Sequence, residues 1–145
     1  MAIQRIFGKP EPSRHYPVAL GVYALLLNAS GLLALIRKGS QVSLPGSELC
    51  ADTPAESQLL QSLSHQHGLD AHVLWHLAET DQYPSHPHDP VCLQRSQFYL
   101  AELDTAPAAE APELAWLSPA EALQCADLPA SHAWMIQHFS AYLTA

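Results

Sequence analysis

The chain has 145 residues, 48% of them apolar and 14% charged, which suits one domain with a real core and is too short for two. Lys and Arg number 6 against 14 acids, the net charge is −8, and no Lys or Arg follows Arg95. A surface that tracks phosphates needs a basic stripe, so nucleic acid is excluded as a partner class.

The first fifteen residues are mixed in character, carry Pro10 and Pro12, and read as a loosely held arm. Val18 to Leu27 and Leu32 to Ile36 read as a hairpin. Their near-continuous hydrophobicity implies burial on both sheet faces, with helices covering both sides. The run from Ala19 to Ile36 is almost long enough to span a bilayer. Asn28-Ala29-Ser30-Gly31 in its middle is turn chemistry, so two strands are expected and no membrane partner. Arg37-Lys38-Gly39-Ser40 is a polar break. Val42-Ser43-Leu44 is a short extended segment ending in Pro45-Gly46.

A helix follows. Thr53 is placed to cap it, Pro54 fits the first helical position, Glu56 completes a capping box, and Gly68 stops it. Ala55, Leu59, Leu60 and Leu63 fall on one side at helical spacing, so that side packs on the sheet. His72 to Thr80 reads as a strand, Asp81 to Pro90 as a loop with three prolines, and Leu93 to Leu103 as another strand. Thr105 to Pro112 is a linker, and Leu114 to Leu117 a short strand. Ser118-Pro119-Ala120-Glu121 repeats the capping-box logic, and Ser131 to Leu143 is a closing helix. Trp75, Trp116 and Trp134 are most simply core residues. Cys50, Cys92 and Cys125 stand far apart with no C-x-x-C pair, which argues against a zinc knuckle and a disulfide framework. Reduced thiols and the lack of a signal-peptide layout give the expectation of a cytoplasmic protein.

Three pieces carry a family resemblance: Arg37 to Gly46 ending in Leu44-Pro45-Gly46, Asp52-Thr53-Pro54-Ala55-Glu56 leading to His67-Gly68-Leu69, and Glu113 to Ala122. In their order and spacing they resemble the Nudix superfamily, whose signature is G-x5-E-x7-R-E-U-x-E-E-x-G-U, with U apolar, usually preceded by L-P-G. The likeness covers residues 16–143. It implies an α/β fold, a Nudix-like α/β/α sandwich with a central mixed β-sheet, with residues 1–15 as an arm and 16–145 as a single domain.

Anchored without gaps on Leu44-Pro45-Gly46 and on Gly68-Leu69, the signature's first Gly is set at Glu48 and its first Glu at Thr53. The R-E pair falls on Gln61-Ser62, the apolar position on Leu63, and the E-E pair on His65-Gln66. A one-residue shift brings Asp52 to the first Glu. Hydrolysing a pyrophosphate needs divalent cations to neutralise the phosphates and help activate water. Mg²⁺ is a hard ion that seeks carboxylates. Residues i, i+3 and i+4 share a helix face, and here they are Ser62, His65 and Gln66, with no acid among them.

Other polar groups read mostly as solvated surface. His65 and His67 are two apart and do not face each other on a helix. The loop His86-Pro87-His88-Asp89 can converge side chains but is read first as solvated. Cys50 lies in the glycine loop with no base assigned to it.

The resemblance therefore implies a Nudix domain that has lost ordinary Mg²⁺-dependent pyrophosphohydrolysis. It binds a nucleotide-like ligand or a partner, with Arg37, Lys38 and Gly46 as expected ligand contacts. No catalytic residue, metal ligand or cofactor is assigned. One alternative is an active pyrophosphohydrolase of a nucleoside diphosphate linked to X. It would take Mg²⁺ or Mn²⁺ on Glu48, Asp52 or the region 79–89, where Glu79 is the available acid. A second alternative is an unrelated α/β binding module. A homodimer is the usual assembly that the resemblance implies.

Overall fold

The computed structural model describes residues 2–50, 52–84, 91–105, 113–125 and 127–143, with side chains as far as Phe139 in the last helix. In chain order the elements are β1 (Ile3–Phe7), β2 (Val18–Leu27), β3 (Leu33–Lys38), β4 (Gln41–Ser43), β5 (Gly46–Glu48), α1 (Ala55–His67), β6 (Ala71–Gln82), β7 (Leu93–Leu103), β8 (Leu114–Leu117), α2 (Pro119–Leu123) and α3 (Ala130–Leu143). The strands form one mixed sheet in the order β1-β6-β7-β2-β3-β4, with β5 paired to β2 and β8 to β3.

Strand β2 is the centre of this sheet. It runs parallel to β7 along its whole length, from Val18 opposite Leu93 to Leu27 opposite Glu102. The expected hairpin forms at its turn, where Asn28 Oδ1 accepts the N–H groups of Ser30 and Leu32 at 3.0 and 2.9 Å. Beyond the turn the two strands part, and Leu27 opposite Leu33 is their only paired position. Strand β5 takes up the edge of β2 that β3 leaves, away from β7, with Gly21 to Tyr23 facing Glu48 to Gly46. Among the described residues no helix is long and apolar enough to cross a membrane.

Alternation along β2 splits the core into two layers. Val22, Ala24 and Leu26 pack with Leu59, Leu63 and Tyr99 under α1. Leu25 packs on the opposite side with Phe98, Leu33, Met135 and Ile136 under α2 and α3. Both faces are thus covered by helices, as the near-continuous apolar run of β2 requires. Each fully buried leucine, such as Leu25 or Leu63, contributes about 1.5–3 kcal/mol relative to an exposed one.

Several expectations meet their structure differently. Within the expected loose arm, Ile3–Phe7 is a strand parallel to β6, Ile3 opposite Ala78 and Phe7 opposite Gln82. The arm is held by aromatic contact: the Arg5 guanidinium lies 5.3 Å from the Phe7 ring and 5.2 Å from the Trp134 ring. Sequence reading lacks that partner because Trp134 is far along the chain.

The Thr53–Glu56 capping box does not form. Pro54 is the N-cap of α1 and no side chain caps it. The Ser118–Glu121 box does form, with both reciprocal bonds in place. Gly68 ends α1 in the left-handed conformation, φ 63°.

Trp75 is 63% exposed rather than core, because β1 begins opposite Ala78 and leaves that part of β6 as an open edge. Trp116 and Trp134 pack against the core as expected. On α1, Leu59 and Leu63 are buried, Leu60 is half-buried, and Ser62 is buried in addition.

Candidate functional site

Helix α1 carries the positions that the signature would fill. Ser62 is 3% exposed, and its Oγ has no hydrogen-bond partner. Gln61, His65 and Gln66 are exposed. Thr53 is half-buried in the turn before the helix, its N–H bonded to the Cys50 carbonyl at 3.1 Å. His67 is held below the ordinary histidine range by burial first and then by the Lys38 ammonium, with Glu113 pulling the other way.

The acids near α1 do not gather. Glu48 lies exposed in β5, and Asp52 is exposed in the loop before the helix. Counted back from Gly68, the signature's first Gly falls on Ser47, one residue before Glu48. Glu79 is half-buried on β6, opposite Gln97. Glu56, released from capping, acts with Glu79 on Tyr99: burial first, then these two carboxylates, raise the phenol's pKa. Glu48 acts instead on Tyr23, after burial. Tyr99 packs in the α1 layer and Tyr23 against the α3 layer. Among the described residues no three His, Cys, Asp or Glu converge where they could hold a metal ion. A buried hydroxyl, an imidazole and an amide are not the donor set of a hard dication. The residues on α1 do not fit a magnesium platform. The loop His86-Pro87-His88-Asp89 lies outside the described residues.

A concave feature lies elsewhere among the described residues. A cavity of about 700 Å³ opens between the β3–β4 hairpin, the adjoining ends of β6 and β7, and the start of α3. Its size suits a small-molecule ligand. Tyr23, Lys38, Ser43, Gln82, Gln94 and His132 supply most of its polar chemistry. Of the three expected ligand contacts, only Lys38 lines it. Arg37 is exposed on β3, its backbone N–H bonded to the Glu113 carbonyl at 2.7 Å. Gly46 plays a packing role: a Cβ there would stand 2.1 Å from the Val22 carbonyl oxygen.

His132 is the most deeply set polar group of the cavity, 4% exposed. Its Nδ1 accepts the Leu44 N–H at 3.1 Å. Its ring packs 4.5 Å from Tyr23 and, edge-on, 5.4 Å from Phe98. Burial drives its pKa down to about 3, so the ring is neutral at pH 7. Gln82 Oε1 accepts the Ser131 N–H at 3.3 Å, which docks the start of α3 onto the end of β6. Sequence reading missed Tyr23, Gln82, Gln94 and His132. Tyr23, Gln94 and His132 look like ordinary strand or helix residues, and Gln82 falls in the expected Asp81–Pro90 loop, until β6 runs on to Gln82, strand pairing sets it opposite Gln94 and α3 closes over them.

No family model and no curated protein matches this sequence. Solved structures do. A MutT protein from Methanosarcina mazei Go1 superposes with a TM-score of 0.71 at 17% identity, over 92% of this chain and 100% of that one. The fold is Nudix-like. An ADP-ribose pyrophosphatase from Streptococcus suis matches at 0.60 with 17% identity, over 84% and 91% of the two chains. A UDP-X diphosphatase matches at 0.65 with 16% identity, over 93% of this chain and 68% of that one. The Nudix-like sandwich with its central mixed sheet agrees with the expectation drawn from the three sequence pieces.

Proposed function

We propose that this Nudix-like domain binds a nucleotide-like ligand in the cavity beside α3 and does not cleave phosphoanhydrides on α1. The observation that carries this reading is the division of chemistry between the two places. The cavity of about 700 Å³ is lined by amides, hydroxyls and a neutral imidazole, with one ammonium, Lys38, and one carboxylate, Asp127, both exposed. Helix α1 meanwhile offers Ser62, His65 and Gln66 where cation ligands would be needed. Likeness to an ADP-ribose pyrophosphatase and a UDP-X diphosphatase supports a nucleoside-diphosphate-type ligand as the first class to try.

The test is a pair of measurements on the purified chain. Incubation with ADP-ribose, UDP-glucose and nucleoside triphosphates, with Mg²⁺ or Mn²⁺, should release no product. The same compounds without metal should raise the melting temperature saturably. Turnover that disappears on Glu48→Gln, Asp52→Asn or Glu79→Gln would replace this reading with the active hydrolase. The joint action of Glu56 and Glu79 on Tyr99 makes Glu79 the first of the three to substitute.

A further inference from the structure

The cavity beside α3 presents hydrogen-bond donors of fixed direction. A backbone N–H can only donate, so the bond from Leu44 to His132 Nδ1 leaves that nitrogen without a proton. The neutral ring then carries its one proton on Nε2. Among the described residues that N–H meets no acceptor, and its ring, 96% removed from solvent by the 4% exposure, lines the cavity. Gln82 follows the same logic. Its Oε1 is committed to the Ser131 N–H, which leaves the two amide hydrogens uncommitted among the described residues. Of the first-turn N–H groups of α3, that of Ser131 is taken by Gln82 Oε1 and that of Ala133 by the Pro129 carbonyl at 3.0 Å. Ala130 and His132, in that turn, both line the cavity.

Charge argues against an anion as the group that these donors take. His132 stays neutral at pH 7. Lys38 is exposed, and the cavity also carries the exposed carboxylate of Asp127. Tyr23, packed on His132, adds an aromatic wall for a planar ring. From these contacts we infer that the cavity selects a nucleobase-like ring by its keto edge, with His132 Nε2–H and the Gln82 amide as the specificity-determining donors. The inference rests on the reading of this cavity as the ligand site. A uracil or hypoxanthine ring brings a carbonyl acceptor to the donors. Cytosine and adenine bring an amino group to the corresponding position, donor against donor, and leave buried polar groups unpaired.

The full chain is titrated calorimetrically, without metal, with UMP, IMP, CMP, AMP and inorganic phosphate. UMP and IMP should bind about tenfold or more tighter than CMP and AMP, with phosphate weaker than all four. Gln82→Glu keeps an acceptor for the Ser131 N–H but removes the donors, and should erase the keto preference. Where that variant does not fold, the selectivity of the native chain decides. CMP or AMP binding as well as UMP overturns the inference and leaves the cavity reading intact. Phosphate matching the nucleotides overturns the inference in favour of an anion site. A native chain that binds none of the four nucleotides overturns the inference and the cavity reading together.

Discussion

The backbone N–H of Leu44 donates to Nδ1 of His132 at 3.1 Å, across 88 residues of chain. The bond ties the L-P-G loop to the first turn of α3, and in doing so sets the tautomer that faces the cavity. One contact therefore serves both the fold and the candidate site.

The burial of His132 makes stability pH-dependent. Burial lowers the His132 pKa from 6.5 to about 3 in the folded chain. Below about pH 6.5 the unfolded chain takes a proton that the folded chain refuses, and stability falls wherever the unfolded state binds more protons. The His132 contribution is whole above pH 6.5 and is lost as pH falls toward 3, by up to about 1.4 kcal/mol per pH unit. Urea unfolding from about pH 7 to pH 4 should show a shallower decline for His132→Gln than for the native chain. Parallel profiles would remove His132 as the cause.

Gly46 should not tolerate a side chain. Its Cβ would stand 2.1 Å from the Val22 carbonyl oxygen and 2.8 Å from Tyr23 Cα, both backbone atoms of the central strand. Gly46→Ala should cost about 2–4 kcal/mol, read as a lowered urea midpoint at constant slope. A variant as stable as the native chain would mean that β5 can lift away from β2 freely.

Ser62 gives opposite expectations for two substitutions. Its buried Oγ has no partner, so Ser62→Ala should be neutral or stabilising by up to about 1 kcal/mol. Ser62→Glu places a carboxylate against Leu59 and Leu63 and should destabilise by more than about 2 kcal/mol. Thermal melts in EDTA and in Mn²⁺ separate the causes. Recovery of the Glu variant by Mn²⁺ would reveal a cation platform that the native donors do not indicate.

Strand β1 should depend on Trp134. The Arg5 guanidinium sits 5.2 Å from that ring, and Phe7 meets it edge-on at 5.9 Å. A double-mutant cycle on Arg5→Ala and Trp134→Leu should give a coupling of about 0.5–1 kcal/mol. A coupling of zero would leave the Phe7–Trp134 contact and the ladder to β6 as the anchors of the strand.

Features set by neighbours in sequence were legible in advance. The two-sided burial of β2 follows from its near-continuous apolar run, because successive side chains on a strand point to opposite faces and both sets are apolar. The left-handed stop at Gly68 and the capping box at Ser118 need only residues within a turn of themselves. Thr53 shows the limit of that reasoning: the same short pattern is present, yet Pro54 takes the N-cap position and no side chain caps the helix.

By itself, then, the amino-acid order determined the two-sided burial of β2 and the absence of carboxylates at Ser62, His65 and Gln66 on α1, since both depend on local pattern and residue type, while the sandwich was implied by the resemblance of its three pieces. Only the tertiary structure decided the pairing of β1, the exposure of Trp75 and the cavity around His132. Each of these depends on which distant segments become neighbours, a choice made by the cooperative packing of both cores that no short stretch of chain encodes.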